Sequence, residues 1–388
     1  MKKNILLIIR RGELEVGWIF PVLFKLKKKF NIYVYFLSKD SYLNVSSNQF
    51  YIECLKKVSK KIIIQPLFFK FLPRSLRKIM NYFKIKSESL NKIIHDPKFL
   101  LDRFKIHNID IVLGEYNSKS QYFNSLNNSK IIFFPNSPQV FWKVKQYNNK
   151  LLNCDYLLVN SKKEVHYWKK RIKPKNLIEA GCPQKDIWWQ KKMNNFFGKK
   201  NQNVRNKKTI LFAYNSFFSE IKIKKNKLIL HENLYFFLNS IKNLNKNIEI
   251  IFKIHPNKNN TEFFKTLHKF PKKLWRIESD PLQILLKKSD VLISMPKSSA
   301  YIDGLYANKP SILYFGEYFE KFKKKGKTPH EKMGIDVKLT RKNFYQLINK
   351  ALYKRNDIIW KRQQKKFNKF YLSKVNSTQK IVNFFKKL

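Results

Sequence analysis

The sequence predicts an α/β protein made of two successive parallel-sheet domains, each sheet wrapped by helices. Three observations predict it. Apolar runs of strand length alternate with longer helical stretches along the chain. A polar, Lys- and Asn-rich run, Lys191–Lys208, interrupts that alternation, which then restarts with a new strand. The 388 residues also exceed what one ordinary core holds. The domains are therefore placed at 1–190 and 209–388 with 191–208 as linker, and the last helix is expected to pack back toward the first domain.

In order, the first half offers strands at Asn4–Arg10, Ile32–Phe36, Ile62–Gln65, Asp110–Glu115, Lys130–Phe134 and Tyr156–Asn160. Helical patterns lie between them at Val16–Lys29, Asn48–Lys60, Leu76–Phe104 and Ser118–Asn127. A helix at Lys162–Arg171 and a short strand ending in Gly181-Cys182-Pro183 close this half. The second half begins with Thr209–Ala213, the helix Glu232–Leu244 and the strand Ile248–Ile254. It continues with strand Leu274–Ile277, helix Pro281–Lys287, strand Val291–Ser294, helix Ser299–Ala307, strand Ser311–Phe315 and two C-terminal helical stretches.

Composition limits the partners. Hydrophobic residues make up 43% and aromatics 15%, enough for two packed interiors and too much for a disordered chain. The net charge of +55 comes mainly from scattered lysines, which accompany abundant Asn, Ile and Phe, a set that A/T-rich codons explain. Such a charge still attracts anions: phosphorylated substrates, an anionic membrane surface or nucleic acid. The scatter of the lysines and the lack of a binding module argue against nucleic acid. Cys54, Cys154 and Cys182 have no metal or disulfide spacing, so a reducing, cytoplasmic setting is expected. The apolar run Asn4–Ile9 is too short for a signal-peptide core, and no segment has the length of a membrane span.

In a parallel sheet, ligands gather beyond the carboxyl ends of the strands, so the residues just after each strand are the candidates. After the first strand come Arg10, Arg11, Gly12, Glu13, Glu15 and Gly17, whose spacing fits neither a Walker A loop nor a dinucleotide fingerprint. Glu13 or Glu15 can act as general base, Glu13 being preferred; either can equally complement the dipole of the next helix. Glu115, Asn136, Ser137, Asn215 and Ser216 follow other strands and are candidates to line a ligand site.

The second half is more informative. Lys253 and His255 end a buried strand before Pro256, where an imidazole can donate to a departing phosphate oxygen without a metal. A turn residue is the plainer reading of that histidine. Lys297, Ser298 and Ser299 open a helix after the strand Val291–Ser294, as N-caps or as a phosphate cradle. Asp303, one turn on, either reaches the donor's ribose or sugar or favours the helix dipole. No H-E-x-x-H, Cys/His ligand spacing or G-x-S-x-G elbow occurs, so no metal site or cofactor is expected.

Taken together, His255-Pro256, Ser289-Asp290 leading the apolar strand, Ser298-Ser299 and Asn308-Lys309-Pro310 resemble the C-terminal half of GT-B-fold transferases. The nearest pattern is that of CDP-glycerol glycerophosphotransferases and capsule or surface-polysaccharide glycosyltransferases. Ala180-Gly181-Cys182-Pro183, with Asp186 behind it, looks like the turn that ends the first domain in such enzymes. The resemblance runs from about Asn176 onward, and Met295-Pro296-Lys297 stand where the family usually has an aspartate and a tyrosine. It implies two Rossmann-like domains facing one another across a ligand cleft, with His255, Ser298 and Ser299 on the donor's phosphates.

The expected function is metal-independent transfer of a glycosyl or glycerophosphoryl group from a nucleotide-activated donor to a hydroxyl. The acceptor is a carbohydrate or lipid-linked molecule of surface-polysaccharide or glycolipid synthesis, reached from the inner face of the membrane. The segment Leu67–Lys86 mixes aromatics and cations as an interfacial helix does, and as an ordinary amphipathic helix also does. A nucleotide-sugar 2-epimerase of the same plan is the alternative, disfavoured because Lys297-Ser298-Ser299 replaces its usual Ser-Gly-Gly. A non-catalytic anion- or nucleic-acid-binding protein is the second.

Overall fold

The structure is a computed structural model that describes residues 2–10, 12–65, 101–102, 104–115, 126, 128–135, 154–169, 176–197, 207–214, 227–244, 247–254, 261–295, 298–314, 329–371 and 376–388. They form two compact units, one of residues up to 196 together with 376–388, the other of 197–371.

The first unit holds strands β1 (Lys3–Ile9), β2 (Phe30–Phe36), β3 (Lys61–Ile64), β4 (Ile111–Glu115), β5 (Lys130–Phe134), β6 (Tyr156–Val159) and β7 (Asn176–Glu179). Their order is β3-β2-β1-β4-β5-β6-β7, every pairing parallel. The second unit repeats the plan with β8 (Lys208–Tyr214), β9 (Ile248–Ile254), β10 (Trp275–Ile277), β11 (Val291–Ser294), β12 (Ser311–Tyr314) and β13 (Lys338–Leu339), in the order β10-β9-β8-β11-β12-β13. Both orders reverse beside the first strand of the unit, the doubly wound arrangement whose reversal point opens a crevice beyond the carboxyl ends.

Among the described helices, the first unit has α1 (Glu13–Leu26), α2 (Lys39–Ser46), α3 (Gln49–Val58), α4 (Lys162–Lys169) and α5 (Ile187–Phe197). The second has α6 (Lys227–Asn243), α7 (Thr261–Leu267), α8 (Leu282–Lys287), α9 (Ala300–Tyr306), α10 (Pro329–Lys332), α11 (Phe344–Tyr353) and α12 (Ile358–Tyr371). A final helix, α13 (Ser377–Lys387), belongs to the first unit. No described helix is long and apolar enough to cross a membrane.

One device recurs at the amino ends of the strands. The Asp110 amide donates to the Asn4 carbonyl (3.0 Å), and its carboxylate accepts the Asn4 amide (2.7 Å). Asp155 does the same with Ile131, both bonds at 2.9 Å, and Asp290 with Thr209 at 2.8 and 2.9 Å. Each aspartate pairs a strand entrance with its neighbour and satisfies an amide that the ladder leaves over.

Among the elements that differ from expectation, three lie in the first unit, and α7, α10 and β13 of the second were not anticipated. α1 starts at Glu13 rather than Val16, because Gly12, at φ 87°, turns the chain directly into the helix. A Cβ on Gly12 would stand 2.6 Å from Asn44 Oδ1, so the close approach to α2 also demands glycine. The run 191–208, read as linker, begins inside α5 and ends in β8. Its lysines disguise a helix that buries Trp189 and Met193, with Trp189 packed edge-on against Phe24 and Phe50. Helix α2, polar in sequence, was not anticipated; Ser38 caps it by accepting the Ser41 amide at 3.0 Å.

The C-terminal helix is anchored by the Gly-x-Pro turn. Asp186 accepts the amides of Ser377 (3.1 Å) and Thr378 (2.6 Å), and Gly181, at φ 82°, has no room for a Cβ beside Ser377. Burial raises the Asp186 pKa, opposed by these hydrogen bonds. The three thiols are buried and form no disulfide, and burial pushes Cys54 and Cys154 up to about 12, which leaves those two unreactive.

Candidate functional site

In the first unit the reversal point lies between β1 and β4, and charged side chains knit it together. Arg10, just past β1, donates from Nη2 to Glu115 at the end of β4 (3.1 Å). Glu115 is fully buried, whereas the arginine side chain is 31% exposed. Glu15, also fully buried, accepts the Arg10 amide at 2.7 Å. The same closure recurs after β6, where Glu164 of α4 accepts the Asn160 amide at 2.8 Å and Asn160 takes the Trp18 indole N–H at 2.8 Å. Glu15 and Glu115 thus fasten strand ends to the turn that follows.

Glu13 is placed differently. It is the first residue of α1 and half-buried; its carboxylate accepts from Asn48 Nδ2 (2.7 Å), and its amide donates to Asn44 Oδ1 (2.8 Å). Asn48, at the junction of α2 and α3, therefore orients this carboxylate, while Asn44 of α2 fixes the backbone that carries it.

In the second unit the reversal point lies between β8 and β11. β11 ends in Ser294, which is fully buried and whose hydroxyl has no partner among the described residues. Strand alternation puts Ser294 on the sheet face of Leu292, opposite Ile293; its neighbour in register is Ala213. The Ser298 amide donates to the Met295 carbonyl (3.1 Å), and its hydroxyl accepts the Ala300 amide (3.3 Å). Ser299 occupies the N-cap position, but its side chain makes no capping bond. Asp303 sits half-buried in the first turn of α9. Lys253, at the end of β9, donates to the Ser279 carbonyl at 2.8 Å. His255, Lys297, Asn136, Ser137, Asn215 and Ser216 lie outside the described residues, as does Leu67–Lys86.

Several residues of the sequence pattern build the scaffold. Asp290 fixes the entrance of β8 and pairs with Arg355 at 2.5 Å. Asn308, at φ 53°, ends α9; Lys309 donates its amide to Gly304 (3.0 Å) and its ammonium to the Ser289 carbonyl (2.7 Å). Gly304 lets α9 lie directly on Leu292 and Ser311. The Ser-Asp and Asn-Lys-Pro segments therefore set the position of α9 and of the serines before it.

The profile of the family described as CDP-glycerol:poly(glycerophosphate) glycerophosphotransferase matches residues 134–387, which contain the second sheet and all its strand ends. The chain belongs to this family. Its members are transferases, and the chain is a nucleotide-donor transferase of GT-B type. The wall teichoic acid polymerase TagF, in a structure with CDPG, is 13% identical, with a TM-score of 0.56 over 99% of this chain and 88% of that one. A glycosyltransferase from Rickettsia africae is 11% identical, with a TM-score of 0.53 over 100% of this chain and 98% of the other. A UDP-N-acetylglucosamine 2-epimerase from Rickettsia bellii shares the same architecture at 11% identity, TM-score 0.58, covering 100% and 99%. No curated protein matches the chain. Two Rossmann-like domains are common to these structures, as the sequence pattern implies for this family member.

The sequence reading missed two residues at these reversal points, Arg10 as the partner of Glu115 and Ser294 as a buried hydroxyl. The signal was present in both cases, since each is a polar residue terminating an otherwise apolar strand.

Proposed function

We propose that the protein transfers a glycosyl or glycerophosphoryl group from a nucleotide-activated donor to a hydroxyl of a carbohydrate or lipid-linked acceptor in surface-polysaccharide or glycolipid synthesis. The observation that carries this reading is the family match, which spans the second sheet and every strand end on it. The same match favours transfer over the 2-epimerase reading, whose fold is shared.

In this proposal the second unit takes the donor. Lys253, Lys297 and the Ser298 and Ser299 hydroxyls bind its phosphates, Asp303 its ribose or sugar, and Asn215 and Ser216 line the site. The first unit takes the acceptor, with Asn136 and Ser137 beside it and Glu13 as base. The acceptor hydroxyl gives its proton to Glu13 while its oxygen bonds to the transferred carbon or phosphorus. The bond to the nucleotide's phosphate oxygen breaks, and His255 donates to that oxygen as it gathers charge. No cofactor is required. Glu13 is preferred over Glu15 and Glu115 because those two are fully buried and already fasten strand ends. The protein works in the cytoplasm, where activated donors are made, resting on the anionic inner face of the membrane through its excess of lysine.

A thermal-shift panel of CMP, CDP, UDP, GDP and their activated sugars tests this. One nucleotide should raise the melting temperature by about 2–4 °C at a hundredfold excess over Kd. His255→Ala and Ser298→Ala should both abolish that rise. A panel without any shift, or variants that respond as the parent does, would overturn the donor assignment.

A further inference from the structure

The first unit has a polar concavity at the edge of its sheet away from the strand ends just described. An open depression of about 630 Å³ is lined by Lys2, Lys27, Lys28, Lys57 and Lys60, over a floor that includes Phe30. These residues stand at the entrances of β1, β2 and β3 and at the C-termini of α1 and α3. Among the described residues, no carboxylate lines the depression. Among the described residues Lys57 pairs with Glu53 at 3.4 Å, and both side chains of that pair are exposed.

Helix C-termini attract cations, which gives an ordinary account of part of this. Each C-terminus carries about half a negative charge, so α1 and α3 together offset about one of the five ammonium groups. Lys2 and Lys60 lie outside both helices and precede strands. The remaining surplus sits in one concavity, where neighbouring ammonium groups repel one another. An anion with several oxygens relieves that repulsion, and the side-chain amide of Asn31 in the same lining, one N–H of which goes to Asn4, is a neutral donor.

We infer that this depression is a binding site for a phosphate-bearing anion, separate from the donor site and served by Lys2, Lys27, Lys28, Lys57 and Lys60. A soluble phosphate ester or the headgroup of an anionic phospholipid supplies the same chemistry. Occupation does not compete with chemistry at the carboxyl edge, because the depression opens at the opposite end of the strands.

The test compares two fourfold variants of equal charge change. One carries Lys27→Gln, Lys28→Gln, Lys57→Gln and Lys60→Gln; the other carries Lys354→Gln, Lys361→Gln, Lys365→Gln and Lys369→Gln on exposed positions of the second unit. Titration calorimetry with inorganic pyrophosphate should show affinity falling at least tenfold in the first variant and unchanged in the second. Binding elsewhere on the chain is common to both and cancels. Sedimentation with phosphatidylglycerol vesicles, against phosphatidylcholine vesicles, separates the sources. Selective loss of vesicle binding in the first variant assigns the site to a lipid headgroup, and selective loss of pyrophosphate binding alone assigns it to a soluble phosphate. Equal behaviour of the two variants in both assays, whether both retain binding or both lose it, overturns the inference. Unchanged melting temperature and circular dichroism of the first variant exclude a folding defect as the cause.

Discussion

At the reversal point of the first sheet the fourth strand ends in Glu115, and at that of the second sheet it ends in Ser294. Both side chains are fully buried, and both strands pair with the first strand of their unit. Glu115 holds Arg10, and Glu15 holds the backbone beneath it. Ser294 has no described partner, and the serines that follow it are fixed only through backbone and α9. One topology therefore supports a strand-end edge committed to internal charge pairing and another left with hydroxyls. The second is the edge to which the proposed donor site is assigned.

The comparison can be broken by substitution, and the largest effect is expected at Arg10. Arg10→Ala takes the guanidinium from a fully buried carboxylate and should cost about 4 kcal/mol of stability in urea unfolding. A cost below about 1 kcal/mol would show that the first edge is as uncommitted as the second. A slightly smaller effect should come from acid. His330 is buried against the Tyr371 hydroxyl, and burial lowers its pKa from 6.5 to about 4. The folded state thus binds fewer protons than the unfolded state between those values. Stability is fully present above pH 6.5 and is lost as pH falls toward 4, by about 3 kcal/mol. His330→Phe should flatten this part of the pH profile; an unchanged slope would place the titration elsewhere. The smallest effect is expected at Ser294. Ser294→Ala removes a buried hydroxyl without a described partner and should shift stability by less than about 0.5 kcal/mol. Loss of nucleotide response in that variant, with stability kept, would identify the hydroxyl as part of the donor site.

The alternation of strands and helices was legible because both sheets are parallel and buried on both faces, so their strands read as continuous apolar runs. Leu6, Leu7 and Ile8, or Ile250, Ile251 and Phe252, have no exposed side to interrupt the pattern. Helix α5 was hidden for the opposite reason. Its buried face rests on Trp189 and Met193, four residues apart, with Lys191, Lys192 and two asparagines between and after them. Helix α2 is amphipathic by shape more than by hydrophobicity, and only the Ser38 cap announced it.

At the candidate sites, position along the chain was legible and commitment was not. Sequence places Glu13, Glu15 and Glu115 equally at strand ends. Only three-dimensional contact separates the two carboxylates that hold Arg10 from the one oriented by Asn48. Asp290 of the Ser-Asp segment and Lys309 of the Asn-Lys-Pro segment are held in structural bonds that position β8 and α9.

The anchoring of α13 by Asp186 bears on how the protein is made. The carboxylate's amide partner Thr378 is synthesised 192 residues later. A nascent chain that has finished every strand of the first sheet still lacks the helix that covers Gly181 and satisfies Asp186. The second unit, by contrast, ends at Leu372, before that helix begins. The earlier-synthesised unit is therefore the later one to be completed. Premature termination anywhere after Asp186 and before Ser377 should leave it with a partly buried acid and an uncovered helix seat, a form that chaperones and proteases can distinguish from the finished protein.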